Sequence, residues 1–216
     1  MIKPVWTRGV AALVLAGVCA GLTTGCAPLI VGGAVIGGGL MVTDRRTAGA
    51  QVEDQGIELK AASRVRELAT LGQVSVHAYN RGVLLTGEVP GDKERAAVEA
   101  AVAKVENVRS VLNEIVVAPN SPLGSRSNDT LLATKVKATL VDAKDLQANA
   151  FKVVAERGVI YLMGRVTERE AGRAAALASS VTGVKKVVRV LDILTEVELA
   201  NLDLPAPAAA ASAPSR

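Results

Sequence analysis

The sequence predicts an α+β protein built from two tandem copies of one small unit. Each copy is ordered helix, strand, strand, helix, strand, and each is expected to form a three-stranded mixed sheet packed by two helices. Three observations carry this reading. A glycine-marked hairpin motif occurs twice, as RGVLLTGEV at 81–89 and RGVIYLMGRV at 157–166. Each motif follows a stretch with helical periodicity and precedes an alanine-rich one. Each copy closes on a valine-rich run, VRSVLNEIVV from Val108 and VKKVVRVLDI from Val184. Arg81 and Arg157 stand 76 residues apart, and Gly87 and Gly164 stand 77 apart. A single repeat of that length means two domains and not a solenoid.

The elements follow in order. In the first copy a helix is expected over 52–69, with Ile57, Ala61 and Val65 on one face. A hairpin of 74–79 and 83–89 turns at Asn80, Arg81 and Gly82, and looks shorter at its turn than its counterpart. A helix over 93–104 and a strand over 110–117 complete the unit. In the second copy Leu132, Val136 and Leu140 recur every four residues on the first helix. The hairpin runs 151–155 and 159–163 and turns at Arg157 and Gly158. Thr167 and Glu170 read as a capping box for the next helix, whose inward face is Ala171, Ala174, Ala178 and Val181. The last strand is 187–194. Gly87 and Gly164 share one place in the second strand, where glycine marks a bulge or a close backbone approach. The expected boundaries are 52–118 and 128–197 for the domains and 119–127 for a polar, turn-rich linker. A low-complexity, disordered Ala/Pro tail is expected over 198–216.

The N-terminus sets the compartment. Lys3 and Arg8 precede a charge-free run from Val10 to Leu22, which is too short for a hydrocarbon core that needs about 20 residues. A basic start, a short apolar run and small residues make an export signal, 1–25. Thr23, Thr24 and Gly25 then lead to Cys26, which resembles a lipobox, with Leu22 one step before the place where leucine is customary. Cys19 fits worse, because bulky Val18 precedes it. An ordinary cleaved signal or an uncleaved anchor is the plainer alternative. Ala27 follows the cysteine, and by resemblance to bacterial sorting rules this points to the outer membrane, facing the periplasm. Residues 26–51 then form an apolar, glycine-rich tether, and the covalent lipid on Cys26 is the only attached group expected. Acyl chains contribute about 0.8 kcal/mol per buried CH₂, so several chains on one sulfur anchor firmly.

The hairpin pattern, the alanine-rich helix after it and the closing valine strand resemble the BON domain. SNDTLLATKVKATL and VIYLMGRVTEREAGRAA carry the likeness in the second copy, and the first copy is more divergent. Two such domains behind a lipobox resemble the dual BON-domain outer-membrane lipoproteins of Gram-negative bacteria. The resemblance implies phospholipid binding and a role in envelope integrity, without catalysis.

The residues themselves offer little chemistry. There is one histidine, His77, in an expected strand. Neither cysteine survives as a free thiol if Cys26 is acylated. Asp142 and Asp145 read as a solvated helix end. The export signal, with aromatics at 2%, argues against nucleic acid, which needs rings for base stacking. No small-molecule substrate is indicated. A binding surface remains. The first copy is net −2 and the second net +2, within a chain of +4. On the first helix of the second copy, Leu131 falls outward beside Lys135 and Ala138. An outward leucine beside lysine suits an anionic phospholipid surface; burial of that leucine by the linker or the first copy is the alternative. Lys185 and Lys186 are a further candidate contact, equally well explained as a solvated turn. Docking on outer-membrane assembly proteins is the competing function.

Overall fold

The structure is a computed structural model and describes residues 44–202. The signal segment, Cys26, the tether up to 43 and the chain after Leu202 lie outside the described residues.

The first domain opens with α1 (Ala48–Leu68). Thr47 caps it by accepting the Ala50 N–H, satisfying one of the amides a helix start leaves unpaired. Ile57, Ala61 and Val65 are buried at the expected spacing, with Asp54 one turn earlier. Strands β1 (Gln73–Tyr79) and β2 (Gly82–Val89) pair antiparallel. After α2 (Asp92–Val102), β3 (Ser110–Asn113) and β4 (Val116–Val117) both run parallel to β2. Leu85 faces Asn113 and Glu88 faces Val116, so β3 and β4 are one edge strand with an interruption and no change of register.

The second domain repeats the plan: α3 (Leu123–Asp142), β5 (Phe151–Glu156), β6 (Val159–Thr167), α4 (Glu168–Ser180) and β7 (Lys186–Leu194). β6 pairs antiparallel with β5 and parallel with β7. A short α5 (Glu196–Leu202) follows. The capping box at Thr167 and Glu170 is formed, and Ala171, Ala174 and Ala178 are fully buried. Four expectations need correction. The tether expected over 26–51 yields its last residues to α1, which starts at Ala48. The linker yields its last residues to α3, which starts at Leu123. The expected tail is helical from 198 to Leu202. The first hairpin is not shortened: both turns have two residues at positive φ, Asn80 (49°) and Arg81 (66°) against Arg157 (54°) and Gly158 (80°). Two successive positive φ values give the type I′ geometry that suits the twist of a hairpin. The shared RGV letters therefore sit one residue out of structural register.

Gly87 and Gly164 keep the true register. A Cβ on Gly87, which has φ of 112°, would lie 2.0 Å from the Gln73 carbonyl oxygen, and one on Gly164 would lie 2.3 Å from that of Ala150. Both positions need the bare backbone.

Each sheet packs its helices on one face. Val83, Leu85 and Val89 join Ile57, Val98 and Val102 in one core; Ile160, Leu162 and Val166 join Leu132, Val136, Leu140 and the alanines of α4 in the other. The opposite faces of the two sheets meet each other. Tyr79 and Leu84 from the first domain close on Val154, Tyr161 and Met163 from the second. The result is four layers, helices outside and two sheets within, so β2 and β6 are buried on both faces.

Polar contacts frame this seam. Arg45 forks onto Glu170 at 2.7 and 2.8 Å and also reaches the Arg165 carbonyl and Gln147. Its neighbour Arg46 turns the other way, pairing with Asp54 at 2.8 Å and stacking 4.0 Å over the Tyr79 ring. Lys152 meets Glu58 at 2.5 Å, Asp192 takes bonds from Asn80 and Arg109, and Arg157 meets Glu88 at 3.0 Å. Burial pushes the Glu88 carboxyl up, but the bonds from Ser121 and Arg157 outweigh it and hold it below the ordinary range.

Candidate functional site: the outer face of α3

Helix α3 is placed by one buried acid. Asp129, at the start of its inward face, accepts the Arg157 N–H at 2.8 Å and the Gly158 N–H at 2.9 Å. The helix is thereby fixed to the hairpin turn, and its outer face to the loop between α4 and β7. In that loop Gly183 adopts φ of 104° and lies close against Leu132. The Lys185 stem covers Gly158, and its amine donates to the Arg157 carbonyl at 3.2 Å.

Leu131 projects from this surface, 59% exposed. Coverage by the linker or by the first domain is thus excluded among the described residues. Lys135 stands one turn further along, exposed and without an ion pair among the described residues. Leu131, Lys135 and Lys185 line one open depression of about 380 Å³ with Ser125, Asn128 and Arg157. A leucine in reach of solvent beside two ammonium groups can insert among acyl chains while the amines meet phosphate oxygens.

The other two candidates are not brought to this depression. Ala138 is exposed two turns beyond Leu131 but lines a separate groove with Lys137 and Val141. Lys186 is exposed at the start of β7, opposite Val159 in register, and does not line the depression. Sequence reasoning missed Asp129 and Arg157. The signal was present, since Asp54 does the same work in the first domain, accepting the Asn80 and Arg81 N–H groups at 2.7 and 2.8 Å. His77 is half-buried; burial first, then Lys152, lowers its imidazole to about 4, so it is neutral at pH 7.

Comparison with known proteins gives the family. The BON domain profile matches twice, over residues 54–119 and 128–195. The chain is 35% identical over 173 residues to the outer membrane lipoprotein DolP of Haemophilus influenzae, covering 79% of this chain and 89% of that protein. It is 32% identical over 152 residues to the 21 kDa hemolysin of Actinobacillus pleuropneumoniae, covering 69% of this chain and 78% of that one.

Proposed function

Because the chain belongs to the BON family, as a tandem pair of the DolP type, we propose that it is a non-catalytic outer-membrane lipoprotein that docks on anionic phospholipid through its second domain. Cys26 carries the anchoring lipid and holds both domains on the periplasmic side, where they support envelope integrity. Support for the anchor comes from the lipobox-like sequence before Cys26 and from a relative named as a lipoprotein.

The observation that carries the docking is the exposed Leu131 flanked by Lys135 and Lys185 in one depression. Each basic residue near an anionic surface contributes about 1 kcal/mol, and burying a leucine adds about 2 kcal/mol. Vesicle sedimentation of the full mature protein tests this. Binding should require anionic lipid, fall with salt and weaken in Leu131→Glu without loss of folding; equal binding to neutral vesicles refutes the mechanism. Mass spectrometry of the mature N-terminus tests the anchor, and a chain retaining Met1 with a bare Cys26 thiol refutes it.

A further inference from the structure

The surface around Leu131 continues into the first domain. Arg157, which lines the depression there, donates to the Glu88 carboxylate of β2 at 3.0 Å and to the Ser121 hydroxyl at 3.4 Å. Ser121 itself donates to Glu88. Its neighbour Asn120 donates from the side-chain amide to the Leu71 carbonyl at 3.2 Å. Gly72 lies so near the end of β2 that a Cβ there would come within 2.7 Å of the Glu88 carbonyl oxygen. Hydrogen-bonded steps thus run from the depression through Arg157, Ser121 and Asn120 to Leu71. They pin the linker to both domains at one end of the molecule.

This end exposes apolar side chains. Leu71 is 78% exposed and Leu123 is 73% exposed, more than Leu131 itself. Val116, Val117, Pro119 and Pro122 are exposed between them along the chain. Leu71, Pro90, Val117, Ala118 and Pro119 line one open groove of about 400 Å³, with Asn120 as its polar member. No charged side chain lines it among the described residues. Arg66 and Glu67 precede Leu71, Asp92 and Lys93 follow Pro90, and the two pairs cancel. A contiguous exposed apolar patch marks an interaction site.

We propose that the groove at Leu71 and the exposed Leu123 make a second, uncharged contact with the same bilayer that receives Leu131, so that the molecule stands on its linker end with both domains touching lipid. This inference rests on the docking proposed above. A bilayer is the partner because the patch adjoins the docking depression and because the chain's own anchor holds it at that bilayer. The anchor also has the reach. Asp44 enters beside the Tyr79 hydroxyl, at 3.4 Å, near the start of β2 and away from Leu71 at its end. Strand β2 has eight residues, about 26 Å at 3.3 Å each. Residues 26–43 can extend to about 60 Å, so the lipid on Cys26 and the linker end fit one bilayer. The two contacts differ in kind: the amines at Leu131 respond to salt, and the groove does not.

Tryptophan fluorescence tests this directly. Trp6 is the single tryptophan and lies ahead of Cys26, so each substitution below puts one reporter into the mature protein. Leu71→Trp, Leu123→Trp and Leu131→Trp probe the proposed surface. Val197→Trp, 71% exposed on α5 after the far end of β6, is the control. All four places are exposed, and the variants should melt as the parent does. The full lipidated protein is reconstituted in vesicles of phosphatidylcholine and phosphatidylglycerol with brominated acyl chains. All three surface reporters should be blue-shifted and quenched several-fold more than the control. Quenching at Leu131→Trp alone, with Leu71→Trp and Leu123→Trp like the control, overturns the second contact and leaves the docking at Leu131 standing. Quenching at none of the three overturns both. A blue shift at Leu71→Trp that grows with protein concentration and meets no bromine quenching assigns the groove to a second copy of the chain and also overturns the proposal.

Discussion

The two domains share an interior and differ at the surface. Asp54, Ile57, Ala61 and Val65 on α1 correspond to Asp129, Leu132, Val136 and Leu140 on α3, and each set is buried. Each aspartate secures a two-residue turn. On the outer face the correspondence gives Gly56 where the second domain has Leu131, and Lys60 where it has Lys135. Lys60 is neutralised by Glu106 at 2.9 Å. The matching place in the second domain is Thr182, beside Gly183, so Lys135 has no counterion there. Arg109 likewise matches Lys185, but Arg109 is spent on Asp192 across the seam. The repeat thus preserved its core and turn locks, while one copy kept an uncompensated basic face with a leucine on it.

Four sets of measurements break or sharpen that comparison. The largest effects should come from what the domains share. Gly87→Ala and Gly164→Ala push a methyl into a carbonyl oxygen and should each cost about 3 kcal/mol or more in urea unfolding, with Gly87 the worse because its φ is also positive. Next, Asp54→Ala and Asp129→Ala leave two buried amides unpaired, at about 2–3 kcal/mol each. Asp54→Ala should cost more, since Arg46 also loses one of its two carboxylate partners and keeps only Asp44. Surface changes come third. Leu131→Glu should lower anionic-vesicle binding about tenfold, and Thr182→Glu, which imitates Glu106, a few-fold. Gly56→Leu has open space around it and, with Glu106→Thr, should give the first domain a measurable share of that binding.

The smallest effect is a pH dependence. The bonds from Arg45 hold the Glu170 carboxyl below its ordinary value, against burial and with help from the Thr167 N–H. A carboxyl depressed in the folded state adds stability that is present above its unfolded pKa, about 4.5. That stability is lost as pH falls through the folded value. Urea midpoints measured downward from pH 6 should therefore drop more steeply in the parent than in Arg45→Gln.

Local pattern made the helices, the hairpins and their inner faces legible, because Leu132, Val136, Leu140 and the alanines of α4 repeat at helical spacing. The exposed Leu131 was legible by the same geometry. The hairpin letters misled by one residue: RGV reads alike in both copies, yet only Gly82 begins a strand, while Gly158 sits within the turn. The stacking of the two sheets was not legible in this way: β2 turns Thr86 and Glu88 as well as Leu84 toward the other domain, a mixed face that reads locally as solvent-exposed. The grip of Arg45 on Glu170 spans 125 residues and has no local signature.

Arg45 and Arg46 are adjacent, yet each clasps a different domain. Any pull arriving along the chain ahead of residue 44 is therefore divided between the two halves at their boundary. It cannot peel one from the other in sequence, and a tug that would unzip a single module has to shear both together.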